Sequence, residues 1–160
     1  DDAMARRVEP QAPSITKRLG AVKAMAEAGI PVGVSIAPVI PGLNDDHMYE
    51  ILQRAREAGA RDAFYSLLRL PGNVEPVFLE RMSKAYPDRI KRISHRLQEV
   101  RGGMLSSSRY FERHRGEGTY GEMLEQLFLT ARRKAGFPEE PDPPAPSTFR
   151  RPHPQQARLF

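Results

Sequence analysis

The residues best placed for chemistry lie in one short stretch, Ala37-Pro38-Val39-Ile40-Pro41-Gly42-Leu43-Asn44-Asp45. It reads as the point where a strand gives way to a helix, which in any βα barrel is the rim that carries function. Pro38 has no N–H to give to a sheet ladder, and Pro41-Gly42 predicts a sharp turn. Asn44 and Asp45 are side chains that satisfy the free amides of a helix start. Just before this turn, Val32, Val34 and Ile36 alternate with Gly33, Ser35 and Ala37. Side chains of a strand alternate between its faces, so one face is bulky and the other nearly bare. The bare face either leaves room for a ligand or accommodates a large neighbour in a filled core.

Other reactive residue types show no catalytic spacing. The chain has no cysteine, so disulfides, thiolate nucleophiles and Cys-held metals are excluded within it. His47, His95, His114 and His153 have no metal-ligand spacing, and His47 and His95 are expected on helix surfaces. No Ser/His/Asp set stands out, and Gly116-x-Gly118 is too short for a phosphate cradle. Charge is concentrated instead. Between Arg89 and Arg115 stand Arg89, Lys91, Arg92, Arg96, Arg101, Arg109, Arg113 and Arg115 against Glu99 and Glu112, 8 − 2 = +6, where the whole chain carries +5. Such a run either attracts a polyanion such as nucleic acid or forms a solvated helix face followed by a polar loop.

The elements that would position these residues follow a repeat. Glu27-Ala28-Gly29 and Glu57-Ala58-Gly59 each close a helical pattern, 30 residues apart, and each precedes an apolar run. Ile15, Leu19, Val22 and Ala26 predict the first helix, with Ser14 as its cap; Met48, Ile51, Leu52 and Ala55 predict the second. The runs Val32 to Ile40 and Ala63 to Leu70 lack a polar face, as do parallel strands covered on both sides. Helix, glycine, strand at this period is the rhythm of βα units. Downstream, Phe78, Met82 and Tyr86 predict a helix ended by Pro87, and Ile90, Ile93, Leu97 and Val100 predict another. Residues 102–118 read as an irregular connector. Thr119-x-x-Glu122 has the form of a capping box, opening a helix carried by Met123, Leu124, Leu127, Phe128 and Ala131.

Seven of the last 23 residues are proline, which predicts a disordered tail from 138 to 160. No apolar run approaches the roughly 18 residues of a membrane helix, no secretory signal is visible, and a cytoplasmic setting is the default expectation. The first residue is Asp rather than Met, which suggests a start inside a longer chain.

The strand followed by Ile40-Pro41-Gly42-Leu43-Asn44-Asp45 and a helix resembles the fifth strand and loop of radical S-adenosylmethionine (radical SAM) enzymes. Tyr65-Ser66-Leu67-Leu68-Arg69-Leu70-Pro71-Gly72 resembles the sixth strand of that fold. Arg7-Val8-Glu9-Pro10, Pro13-Ser14 and Arg18 are similar to the segment after the fourth strand in the branch containing spore photoproduct lyase. Arg101-Gly102-Gly103 and Arg113-His114-Arg115-Gly116-Glu117-Gly118 are similar to a C-terminal extension in that branch. The similarity spans roughly residues 3–137.

It implies an α/β fold: the C-terminal part of a partial (β/α)₆ TIM-type barrel over residues 1–74, a helical extension over 75–137 and the tail. It also implies a fragment of a lyase-like enzyme with a DNA-repair flavour. Such an enzyme cleaves S-adenosylmethionine reductively at a 4Fe–4S cluster and abstracts hydrogen from its substrate. The Cys-x-x-x-Cys-x-x-Cys cluster motif is absent here, so the resemblance places the cluster on an N-terminal half of the barrel outside this chain and makes the segment inactive alone. It assigns cofactor contacts to Ser35, Ala37, Pro38, Val39, Ile40, Leu68, Arg69 and Leu70, and puts Arg18 beside the cofactor carboxylate. Tyr65 is either a cavity residue or a core tyrosine. At the C-terminus, Gln156-Ala157-Arg158-Leu159-Phe160 resembles the peptide by which bacterial repair and replication proteins dock on the sliding clamp, with Gln156, Leu159 and Phe160 as anchors. Two other readings stand beside this one: another kind of βα-barrel enzyme, and a non-enzymatic basic module that binds nucleic acid.

Overall fold

The computed structural model describes residues 2–105 and 116–139. Among these, the order is α1 (Asp2–Val8), α2 (Ile15–Glu27), β1 (Gly33–Val39), a 3₁₀ turn (Asp45–His47), α3 (Met48–Glu57), β2 (Asp62–Leu67), α4 (Val74–Ala85), α5 (Ile90–Glu99) and α6 (Gly118–Lys134). The repeat read from the sequence is present. Ser14 caps α2, its side chain accepting from the Lys17 amide. Gly59, just past α3, has φ +96, and a Cβ there would stand 2.5 Å from the Cβ of Ala26. The left-handed turn and the close approach of α2 therefore both call for glycine.

β1 and β2 pair in parallel, Gly33 with Asp62 through Ile36 with Tyr65, and then Val39 with Leu67. The register shifts across Ala37-Pro38, where proline has no donor for the ladder. Two strands are the whole sheet among the described residues. The expected partial TIM-type barrel is thus corrected: the described residues form six α-helices with a small open parallel sheet. A barrel wall closes only when tilted, staggered neighbours continue around it, and two strands with five paired positions do not begin that closure.

The expectation of strands covered on both sides also fails. The bulky face, Val34 and Ile36, packs inward, but Gly33, Ser35 and Ala37 are exposed, and so is Phe64, the partner of Ser35 on β2. The bare face is open to solvent and not enclosed.

The core has two parts. The larger joins the sheet to α3 and α6 through Ile36, Val39, Met48, Leu52, Leu67, Leu124 and Phe128. Tyr65 belongs here, its ring 4.8 Å from that of Phe128, so it is a core tyrosine. The smaller part collects Ile40, Leu43, Leu68, Leu70, Met82, Ile93 and Leu97, with Met4 and Val8 of α1 against it. Helix α1 is not apparent in the sequence periodicity; Arg7 over the ring of Tyr86 and Asp2 accepting from the Ile15 amide hold it in place.

Two capping expectations are corrected. Helix α6 starts at Gly118 with Glu117 at its cap position and no side-chain cap, so Thr119 and Glu122 lie inside the helix and form no capping box. Met123 and Leu127, expected on its apolar face, are exposed. Asn44 and Asp45 do not cap α3; both fold back onto their own loop. No helix among the described residues is long and apolar enough to cross a membrane. The predicted disordered tail lies mostly outside the described residues.

Candidate functional site

The β1–α3 loop is built by its own side chains. Asn44 accepts from the Ile40 amide at 2.7 Å and donates to the Pro38 carbonyl at 3.2 Å. Asp45, 8% exposed, accepts from the Gly42 amide at 3.1 Å and from the Tyr120 hydroxyl on α6. Each satisfies loop amides that burial would otherwise leave without a partner. Arg96 completes the cluster: its guanidinium lies 4.3 Å from the centre of the Tyr120 ring and pairs with Glu99 at 2.6 Å. The stems of Arg92 and Arg96 pack over Gly42.

Burial and the hydrogen bond to Asp45 push the Tyr120 hydroxyl up from 10.0 to about 12. The folded state holds that proton more tightly than the unfolded chain does. The stabilisation is therefore complete below pH 10 and is lost as pH rises toward 12. Urea midpoints measured across that interval are expected to fall more steeply for the parent than for Tyr120→Phe, which has no proton there to lose.

This loop forms one end of a groove of about 250 Å³. Val34, Ser35, Ile36 and Ala37 all line it. Consecutive strand residues face opposite ways, so the groove runs along the edge of β1 that β2 leaves unpaired. Val8, Leu19, Val22, Ile51 and Ala55 line it as well, with Asn44 and His47 as polar points. Arg18 stands at its rim, donating to Glu9 at 2.6 Å and to the Pro13 carbonyl at 2.9 Å. Both members of that pair are exposed; such a surface pair contributes about 0–1 kcal/mol, so a ligand anion can displace Glu9 at little cost.

The fold thus gathers Arg18, Ser35, Ala37, Pro38 and Ile40 around one groove. Val39, Leu68 and Leu70 are not with them; they are buried in the core. Arg69 lies just past the end of β2 and is half-buried. His47 is half-buried beside Asp46, and His95 is exposed on α5.

Within the basic run Arg89, Lys91 and Arg92 are exposed, Arg96 is half-buried over the Tyr120 ring, and Arg101 is 3% exposed. Arg109, Arg113, His114 and Arg115 lie outside the described residues, as do His153 and the clamp-like residues Gln156, Leu159 and Phe160.

The cofactor expectation is corrected. Iron–sulfur clusters are held by thiolates, the chain has no cysteine, and no group of three His, Asp or Glu among the described residues is placed to hold a metal. Neither the cluster, which the resemblance places outside this chain, nor the S-adenosylmethionine expected with it is assigned to these residues.

Relatives include an uncharacterised protein of Mycobacterium bovis and uncharacterised proteins of two Mycobacterium tuberculosis strains, each 29% identical over 162 residues. The alignment takes in all of this chain, which spans 44% of each relative's length. No family model and no solved structure matches the chain.

Proposed function

We propose that this chain is the ligand-holding portion of a longer enzyme, with the groove beside β1 as its binding site. The observation that supports this best is the meeting of Arg18, from α2, with Ser35, Ala37, Pro38 and Ile40 around one cavity. These are residues that the resemblance to radical SAM enzymes selects on separate segments. Apolar walls with a few polar points suit a flat organic body, and a guanidinium at the rim suits its carboxylate or sulfonate. The reacting groups belong to the remainder of the longer protein, of which this chain spans less than half in the mycobacterial relatives.

The test uses 8-anilinonaphthalene-1-sulfonate, a flat apolar anion, titrated into the chain and followed by fluorescence. Saturable binding at one site is expected. Ala37→Trp, at an exposed position that a large ring would fill, is expected to abolish it, and Arg18→Gln to weaken it about tenfold, the scale of one charge-assisted hydrogen bond. Circular dichroism checks that both variants keep the fold. Binding that is unsaturable, or indifferent to Ala37→Trp, overturns the reading. Salt-sensitive binding of a single-stranded oligonucleotide, unaffected by Ala37→Trp, would instead favour a basic nucleic-acid module.

A further inference from the structure

A second hollow, of about 360 Å³, opens where α1 meets the end of α4. Met4 and Arg7 stand three residues apart on α1, so their side chains share one face of it. Tyr86 and Arg89 are the two ends of a turn that Pro87 forces on the chain after α4, and the Arg89 amide donates to the Tyr86 carbonyl at 3.0 Å. These residues and Ala3 line the hollow. The Arg7 guanidinium lies 5.8 Å from the centre of the Tyr86 ring, a contact that holds it over the wall of the hollow. Both arginines are exposed, and among the described residues neither guanidinium has an ion pair or a hydrogen bond. The carboxylates near them in sequence do not serve: Asp2 accepts from the Ile15 amide, Glu9 accepts from Arg18, and the exposed Asp88 pairs with neither arginine. Lys91 and Arg92, exposed at the start of α5, add to the positive potential.

We infer that this hollow binds a phosphate group, held between Arg7 and Arg89. Guanidinium forks match phosphate oxygens in pairs. Neither arginine has a partner to give up first, whereas Arg18 at the groove must release Glu9. A phosphate monoester carries about 1.5 to 2 negative charges at neutral pH, so it answers two guanidiniums better than a carboxylate or sulfonate with a single charge. Met4 and Tyr86 give the hollow an apolar wall for whatever the phosphate carries. Arg7, Tyr86 and Arg89 do not line the groove beside β1, so the two sites are lost by different substitutions and stand or fall separately.

The test is isothermal titration of the chain with phenyl phosphate and with inorganic phosphate, at constant ionic strength held with sodium chloride. Saturable binding of one phosphate per chain is expected. Arg7→Gln and Arg89→Gln should each weaken it about tenfold, the low end for a hydrogen bond to a charged group. The described bonds of Arg89 run through its backbone, so Arg89→Gln keeps the fold and serves if Arg7→Gln, which also loses the contact with Tyr86, does not. Arg133→Gln removes the same charge from an exposed position on α6 outside the hollow, and should leave the affinity unchanged. Tighter binding of phenyl phosphate identifies a phosphate carried on a larger ligand that rests on Met4 and Tyr86; equal binding identifies the free anion. No saturable heat beyond that of chloride, unchanged affinity in either hollow variant, or an equal loss in Arg133→Gln overturns the inference.

Discussion

Gly121→Ala is expected to destabilise the chain by about 3 kcal/mol, at the upper end of what overpacking costs. Gly121 is buried in the first turn of α6, and a Cβ there would stand 2.5 Å from the carbonyl carbon of Gly116 and 2.8 Å from its oxygen. The obstacle is backbone, so no side chain can rotate away. Nor can Gly116 retreat easily, since a Cβ built on it would stand 3.0 Å from Leu67 and 3.1 Å from Val100. The added methyl must push α6 off the sheet, loosening Leu124 and Phe128 from a core in which they touch both strands and α3. Urea denaturation is the measurement: a large fall in midpoint with the slope unchanged is the signature of lost stability in an intact cooperative unit. A loss under about 1 kcal/mol, the low end of the overpacking range, would mean that the Gly116 segment yields.

Asp45→Ala is expected to cost a similar amount, about 3 kcal/mol, by a different route. The substitution removes the acceptor for the Gly42 amide and for the Tyr120 hydroxyl together. Each buried donor left without a partner costs about 1–3 kcal/mol. The hydroxyl of Tyr120 is also expected to titrate closer to its ordinary value, because part of its upward displacement comes from the hydrogen bond and charge of Asp45. Absorbance at the phenolate band reads that change independently of stability. Because the Gly42 turn leads directly into Leu43 and Asn44, which line the groove, the same variant should also bind the anilinonaphthalene probe more weakly. Asp45→Asn, which keeps an acceptor at the same place, should retain most of the stability.

These effects show where local signals end. The βα rhythm was legible because its signals lie within a few residues of each other: Ser14 at a helix start, Gly29 and Gly59 at helix ends, apolar residues at helical spacing. The bulky and bare faces of β1 were equally legible, since alternation along a strand is a property of the backbone. Which of those faces would be covered was not. Covering depends on the number of strands in the sheet and on what packs across it, and no residue of Gly33–Val39 encodes either.

The candidate site divides in the same way. Ser35, Ala37, Pro38 and Ile40, along and just after β1, and Arg18 were all selected through the resemblance to a known family. That Glu9 already occupies Arg18, and that Leu68 and Leu70 turn into the core, required the fold. Asn44 and Asp45 had the chemistry of helix caps, yet the loop's own amides were nearer and took them. The sequence by itself determined the helix–glycine–strand order, the cap of α2 and the absence of any thiolate ligand, because each is a matter of composition or short-range geometry. Tertiary structure alone decided the open two-stranded sheet, the bond between Asp45 and Tyr120 and the bond from Arg101 to the Leu68 carbonyl. Those depend on segments far apart in the chain, whose approach is set by how the helices pack and not by anything written beside them.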